Sequence, residues 1–215
     1  MADYNAHTYY GKMCLEYLGP EISARLAPDQ TAFQLGLYGP DPLEFSGVGY
    51  WKVKHYHQHW REQVLPWLTE SIRGEDPTAR SYGVGCLLHF LLDEKIYEPI
   101  CRWVQEGSSH YRLELALDSL VLQGQNIAPM PRICGRHQDS IHHVFPGLHP
   151  SLYKLGLWVM GKVVDGFRWR GENLYNKVTQ KEWDQAWYLL NLLENHVADG
   201  AEALADLLPQ EKAAG

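Results

Sequence analysis

Apolar positions along this chain follow a helical period over most of its length. Segments such as 7–18, 82–93 and 152–164 place apolar side chains three and four residues apart, which is the spacing of one face of an α-helix. No segment shows the convincing apolar–polar alternation of a half-buried strand. We therefore predict an all-α fold, a bundle of about eight helices that forms one domain across residues 1–215.

Capping residues predict where several of these helices begin. Asp29, Asp76 and Thr179 each stand immediately before an apolar periodic segment. Their side-chain oxygens are the acceptors that the first backbone N–H groups of a helix need. Thr179 is followed three residues later by Glu182, which is the pattern of a capping box.

Glycines and prolines predict the interruptions. Gly19-Pro20 should end the first helix, and a loop should follow the turn at 39–42 to about residue 54. We expect Pro66 to bend or break a helix over 57–71. Residues 124–147 form the least regular part of the sequence, and residues 166–176 are predicted to be a loop.

The composition is typical of a soluble globular protein, with 45% hydrophobic and 21% charged residues. The net charge of −7, without any basic run, argues against nucleic acid as the main partner. No stretch approaches a membrane span, and the N-terminus does not resemble a signal peptide, so we expect a cytoplasmic protein. The four cysteines have no CxxC spacing and are expected to be buried free thiols.

Histidines and carboxylates recur at the spacing of one helical turn. His89 and Asp93 are four residues apart in an apolar segment, as are His110 and Glu114, and Asp118 continues the second row. Side chains at i and i+4 lie on the same face of a helix. Buried carboxylates and imidazoles are costly without partners, and a metal ion would stabilise several at once. The pattern therefore predicts a buried metal site.

Three further elements extend the candidate ligand set: His7, Asp41 in a Gly-Pro-Asp-Pro turn, and the histidine cluster at 55–59. Nitrogen and oxygen ligands without thiolate suit a catalytic zinc site, with manganese or iron as alternatives. Seven or more ligands exceed the needs of one tetrahedral ion, so two or three ions are expected. Closely spaced ions clamp phosphoryl oxygens and generate hydroxide near neutral pH. The predicted chemistry is therefore phosphoester hydrolysis.

The order of these motifs resembles the zinc-dependent phospholipase C family, which is related in fold to S1/P1 nucleases. The matching motifs, within about residues 5–120, are Ala6-His7-Thr8, GLYGPDP at 36–42, the histidines around His57, HFLLD at 89–93 and HYRLE at 110–114. The resemblance implies a helical bundle of the phospholipase C and P1 nuclease type. It also implies a phosphoester substrate such as a phospholipid head group, with nucleic acid as the second substrate class.

The resemblance also implies a role for each matched residue. One ion would be held by Asp41, one histidine of the 55–59 cluster, His89 and Asp93. Asp41 would in addition be a candidate general base. The alignment favours His57 within its cluster, with His55 and His59 as alternatives.

Further ions are implied by the remaining motifs. His110 and Glu114 would hold a second ion, and His7 would hold a third with Asp93 as a bridge. Asp118 would either orient a ligand or be a charge on the helix surface.

The chain departs from the family pattern at two places. Members usually carry a further histidine shortly after the aspartate that corresponds to Asp93, whereas here Glu98 precedes a proline and is the alternative ligand. Secreted members also use a processed N-terminal residue as a ligand, and this chain begins Met-Ala-Asp-Tyr. These departures keep two alternatives open: a non-catalytic or degenerate metal-binding protein, and a nuclease or other phosphodiesterase of the same fold.

Overall fold

The structure, a computed structural model, describes residues 4–47, 50–122, 135–145 and 148–208. For residues 50, 150 and 164–175 it describes the backbone alone. The described residues are helical and contain no strand, so the prediction of an all-α fold is confirmed for them. None of their helices has the length and apolar character needed to cross a membrane.

The described residues form eleven α-helices, more than the sequence predicted. In chain order they are α1 Tyr4–Leu18, α2 Pro20–Leu26, α3 Gln30–Leu37, α4 Tyr50–Gln63, α5 Leu65–Arg73, α6 Pro77–Gln105, α7 His110–Leu122, α8 Gly135–Val144, α9 Pro150–Tyr175, α10 Gln180–Asn195 and α11 Val197–Leu207. A 3₁₀ helix, Asp41–Ser46, lies between α3 and α4.

The predicted caps are confirmed. Asp29 accepts a hydrogen bond from the backbone N–H of Ala32 at 3.1 Å, and Asp76 accepts one from Thr78 at 2.8 Å. Thr179 and Glu182 form the complete capping box at the start of α10. These helix starts were predictable because a cap involves only residues that are neighbours in sequence.

Several predicted boundaries were wrong. The expected loop before residue 54 contains the 3₁₀ helix and the first turn of α4. The expected break at Pro66 is confirmed, since α4 and α5 divide the segment 57–71 and Pro66 lies in the first turn of α5, where a missing N–H costs nothing. Residues 166–175, predicted as a loop, continue α9, since each of the two glycines in this segment costs a long helix only about 1 kcal/mol. The irregular segment contains α8, while residues 123–134 and 146–147 lie outside the described part.

Helix α6 is the central element, and α1, α3, α5 and α8 all pack against it. It crosses α3 at Gly36 and Gly85, where a Cβ on Gly36 would lie 2.8 Å from the backbone nitrogen of Cys86. This close approach of two backbones places the end of α3 beside the middle of α6. Asp41, four residues after the end of α3, is thereby brought close to the candidate ligands on α6.

The described cysteines are free, as predicted. Cys14 and Cys86 are buried and Cys101 is half-buried. Burial raises the pKa of the Cys14 thiol to about 12, so it is a poor nucleophile. Cys134, the fourth cysteine, lies outside the described residues.

Candidate metal centre

His89 is a fully buried imidazole on α6 whose two nitrogens have different surroundings. Nδ1 lies 3.1 Å from the carbonyl oxygen of Leu37, which can only accept, so Nδ1 carries the proton. Nε2 makes no hydrogen bond, yet it lies 3.2 Å from Asp93 Oδ2 and 3.7 Å from Asp41 Oδ1. Without a proton, Nε2 and the carboxylate oxygens that it faces would repel each other in this buried site, and a proton or a metal cation between them relieves that cost.

Asp93, one helical turn after His89, divides its two oxygens between neighbouring histidines. Oδ1 lies 3.1 Å from His7 Nε2, and Oδ2 lies 2.7 Å from His57 Nδ1. Each oxygen thus faces a different group of potential ligands. This is the arrangement of a carboxylate that can bridge two positions.

Asp41 is the first residue of the 3₁₀ helix, and a tight turn sets its direction. Gly39 has φ +48°, and its carbonyl accepts a hydrogen bond from the hydroxyl of Tyr153 at 3.0 Å. The turn leaves Asp41 Oδ1 3.1 Å from His57 Nε2. The Gly-Pro-Asp-Pro sequence therefore aims this carboxylate at the cluster.

His7 comes from the first turns of α1 and is 2% exposed. Its ring stacks on that of His89, with 4.3 Å between centroids and 21° between planes. The stacking keeps both Nε2 atoms near the same carboxylate, Asp93.

Among the clustered histidines, His57 faces the site. The structure places His57 between Asp41 and Asp93, whereas His55 and His59 are exposed and contact each other. Residues two apart on a helix point in different directions, so one histidine of the three faces inward.

The electrostatics of the cluster are those of acids and bases in close contact. Burial lowers the pKa of His57, but the charge of Asp93 and the hydrogen bond to Asp41 outweigh it and raise the value to about 10. Burial raises the pKa of Asp93, but the charges of His89, His57 and His7 hold it well below its usual range. Burial also raises the pKa of Asp41, but the charge of His89 first, and then the hydrogen bond from His57, lower it below its usual value. The carboxylates are therefore ionised and attract positive charge.

Five of the seven predicted ligands are thus brought together, in two groups that share His89. One group is His7, His89 and Asp93, and the other is Asp41, His57 and His89. Within each group the potential ligand atoms lie within 4.8 Å of one another. Together with the unsatisfied Nε2 of His89, this set of nitrogen and oxygen donors fits a zinc, manganese or iron ion.

The other two predicted ligands lie apart from that cluster. His110 Nε2 and Glu114 Oε1 are 2.7 Å from each other on α7, and both line the same cavity as Asp41 and Asp93. Glu98 also lines this cavity, but its side chain is 74% exposed and lies 3.9 Å from Arg102. An ion held by His110 and Glu114 would therefore need further ligands from other helices that face the same cavity.

Asp118 does not fit the surface-charge alternative. It is buried and accepts hydrogen bonds from the first turn of α1. No local pattern predicts this contact, because the residues it joins are more than a hundred positions apart.

The cluster borders a cavity of about 280 Å³. Its apolar wall is formed by Val53, Phe90, Ile96 and Ile100. Three charged residues of the wall, Glu44, Lys54 and Glu94, were missed from the sequence. Glu44 follows Asp41 by three residues, a spacing that in a 3₁₀ helix puts both on one side. Burial and then the charge of Asp41 raise the pKa of Glu44.

Comparisons with protein-family models, with curated proteins and with solved structures find no match to this chain. The functional conclusion therefore depends on the site itself.

Proposed function

We propose that this protein is a metal-dependent phosphoester hydrolase of the phospholipase C type. The observation that carries the proposal is the buried Nε2 of His89, which lacks a hydrogen bond and faces two ionised carboxylates. His7, Asp41, His57, His89 and Asp93 would hold the metal, with zinc as the first choice. Nitrogen and oxygen donors without thiolate favour a catalytic over a structural zinc site.

The uneven burial of the ligands supports a catalytic role. His7 and His89 are almost fully buried, whereas Asp41, His57 and Asp93 are 18%, 25% and 21% exposed and line the cavity. The cluster is thus closed on one side and open on the other. Catalytic metal sites keep such an open position for water and substrate, and structural sites do not.

Bound divalent cations lower the pKa of water and stabilise negative charge on phosphoryl oxygens. The residues of the chain would accept the proton and orient the ligands. Asp41, ionised and directed at the cavity, would accept the proton of the attacking water. The hydrogen bond between His89 and Leu37 would fix the direction of Nε2.

The cavity wall supports a substrate with apolar and cationic parts. Phe90, Ile96 and Ile100 are buried apolar residues that would exclude water around the ester. Glu44 and Glu98 place carboxyl groups in the same wall as Lys54, so the wall offers acidic partners to a positively charged substituent and a cation to a negatively charged one. A phosphodiester that carries an amine or quaternary ammonium group has this chemistry.

A non-catalytic metal-binding protein is the second candidate. The position of Glu98 favours it, because a side chain that is 74% exposed does not replace a buried histidine ligand. Hydrolytic assays of the metal-loaded protein would separate this candidate from the first.

The test uses protein purified without a His tag or added metal, then reconstituted with zinc, manganese or iron(II). Metal content is measured by elemental analysis. Hydrolysis is measured on bis(p-nitrophenyl) phosphate, p-nitrophenylphosphorylcholine, short-chain phosphatidylcholine and single-stranded DNA. The variant Asp93→Asn removes the bridging charge, and Asp206→Asn, an exposed carboxylate on α11, is the matched control.

Metal and hydrolysis that are lost together in Asp93→Asn, and retained in Asp206→Asn, are the expected result. Bound metal without hydrolysis of any substrate would favour the non-catalytic candidate. A folded protein that takes up no metal would overturn the proposal.

A further inference from the structure

Asp118 is a buried carboxylate on α7 that accepts hydrogen bonds from the start of α1. Oδ1 accepts hydrogen bonds from the backbone N–H groups of Asn5 at 3.0 Å and Ala6 at 3.1 Å. Oδ2 accepts one from the side-chain amide of Asn5 at 2.9 Å. A single side chain on α7 therefore holds both the backbone and a side chain of the first turn of α1.

Asp118 thus caps the N-terminal end of α1 from a different helix. The first N–H groups of an α-helix have no acceptor within the helix, and negative charge is favourable at that end. Asn5 is 8% exposed and Ala6 is fully buried. Water therefore cannot replace the carboxylate unless the first turn of α1 moves.

The residue that follows this capped pair is the candidate ligand His7. Its Nε2 lies 3.1 Å from Asp93, and its ring stacks on His89. Both contacts depend on where the first turn of α1 lies. Through Ala6 N–H, Asp118 fixes the backbone one residue before this ligand.

Asp118 lies on the same face of α7 as His110 and Glu114, which line the cavity. It stands four residues after Glu114 and eight after His110 on α7, so the three lie on one helix face. The first part of this row lines the cavity, and Asp118 holds α1. One helix thus fixes two sides of the metal centre relative to each other.

We propose that Asp118 is a positioning residue of the metal centre, which holds the first turn of α1 against α7, places His7 against Asp93 and so sets the affinity for a divalent cation. This inference rests on the proposed metal centre, and it adds a specific route by which a residue outside the ligand set acts. That route runs through His7, which makes it testable by a double-mutant cycle.

The experiment measures the zinc Kd of the full chain by competition with a chromophoric chelator. Four proteins form the cycle: wild type, Asp118→Ala, His7→Ala and the double variant. Loss of a residue that orients a ligand typically weakens metal binding by about 10–100-fold. We expect that loss for Asp118→Ala in the wild type. In the His7→Ala background we expect the same substitution to change the zinc Kd by less than about 3-fold, because the ligand through which Asp118 acts is absent.

The matched control is Asp76→Ala. Asp76 also caps a helix with its carboxylate, since it accepts from the backbone N–H groups of Thr78 and Ala79 at the start of α6. It stands thirteen residues before His89, which is about 20 Å along the helix. Its loss should lower the thermal midpoint and leave the zinc Kd unchanged.

Asp118→Asn keeps the test decisive if the alanine variant fails to fold. An asparagine retains an acceptor oxygen for the two backbone N–H groups, so this variant should fold and keep an affinity between those of wild type and Asp118→Ala. The cycle is then run with Asp118→Asn. Circular dichroism verifies the helical content of every protein.

Two results would overturn the inference. One is a folded Asp118 variant with the zinc Kd of the wild type. The other is an equal loss of affinity in both backgrounds, which would mean that Asp118 acts without His7. A wild-type protein that binds no zinc would overturn the metal centre as well, so the two failures are distinguishable.

Discussion

The imidazole of His89 lies against Gly39 so closely that a Cβ at position 39 would be 2.6 Å from Nε2. Gly39 also has φ +48°, a conformation that residues with a Cβ rarely adopt. The turn that aims Asp41 and the imidazole that faces it therefore occupy adjoining space. The glycine is required both for the backbone conformation and for the room that His89 needs.

Substitution of Gly39 should affect stability and metal binding together. A left-handed conformation costs about 1–2 kcal/mol for a non-glycine residue. Overpacking against His89 adds about 1–3 kcal/mol. Gly39→Ala should thus lower the free energy of unfolding in urea by about 2–5 kcal/mol and weaken zinc binding.

Gly47→Ala is the control for this pair of effects. Gly47 has φ +76°, but a Cβ there would meet no atom within 4 Å in the part of the chain that the structure describes. Gly47→Ala should lower the free energy of unfolding only by the conformational cost of about 1–2 kcal/mol, and its zinc Kd should equal that of the wild type. Equal losses in the two variants would show that contact with His89 is unimportant.

Removal of His89 should abolish the stabilisation that metal gives. A ligand that binds the native state at a hundred times its Kd adds about 2.7 kcal/mol to the free energy of unfolding. His89→Ala should show no rise in thermal midpoint upon addition of zinc. His55→Ala should respond like the wild type, because His55 is exposed and its Nε2 lies 2.9 Å from Gln63. A full zinc response in His89→Ala would contradict the proposed centre.

The crossing of α3 and α6 offers a second way to move the site without touching a ligand. A Cβ on Gly85 would lie 2.9 Å from the backbone nitrogen of Leu37, whose carbonyl accepts from His89. Backbone atoms cannot rotate aside, so Gly85→Ala should cost about 1–3 kcal/mol or more. Gly135→Ala, in the first turn of α8, should be close to neutral, because a Cβ there would meet none of the described residues within 4 Å. Urea unfolding checks both, and equal stabilities would mean that the crossing tolerates a methyl group.

Sequence patterns predicted the features that depend on near neighbours in the chain. The caps at Asp29, Asp76 and Thr179 are local, and so is the one-turn spacing of His89 and Asp93. All of these involve residues within four positions of each other. Helical character likewise follows from the period of the apolar residues.

Other features required the packing of distant segments. Asp118 contacts Asn5 across 113 positions, and nothing near Asp118 in the sequence indicates that partner. The inward direction of His57 depends on where α4 lies, since three histidines share that segment. The extension of α9 beyond residue 166 was missed because glycine lowers helix propensity by only about 1 kcal/mol, which the rest of a long helix offsets.

Glu182 provides a prediction on pH that is independent of the metal centre. Its side chain is 1% exposed and lies 2.8 Å from Arg112 Nε. It also accepts hydrogen bonds from the backbone N–H groups of Ser109 and Thr179, each at 2.9 Å. Burial raises the pKa of Glu182, but these bonds, that from Arg112 first, lower it to about 2.

A carboxyl group whose pKa is lower in the folded protein than in the unfolded chain stabilises the fold when it is ionised in both states. The unfolded value for glutamate is about 4.3. The contribution of Glu182 should therefore be complete above about pH 5 and decline as the pH falls towards 2. At pH 7, Glu182→Gln should lower the free energy of unfolding by about 1–3 kcal/mol, since it weakens hydrogen bonds to a charged group.

The measurement is urea unfolding of wild type and Glu182→Gln at pH 7 and pH 3. The difference between the two proteins should shrink at pH 3. At that pH Glu182 is largely protonated in the unfolded chain but still ionised in the folded protein, so protonation stabilises the unfolded wild type. Glu202→Gln, an exposed carboxylate on α11, should match the wild type at both pH values. A difference that stays constant between pH 7 and pH 3 would mean that Glu182 acts through shape and neutral hydrogen bonds, with no part for its charge.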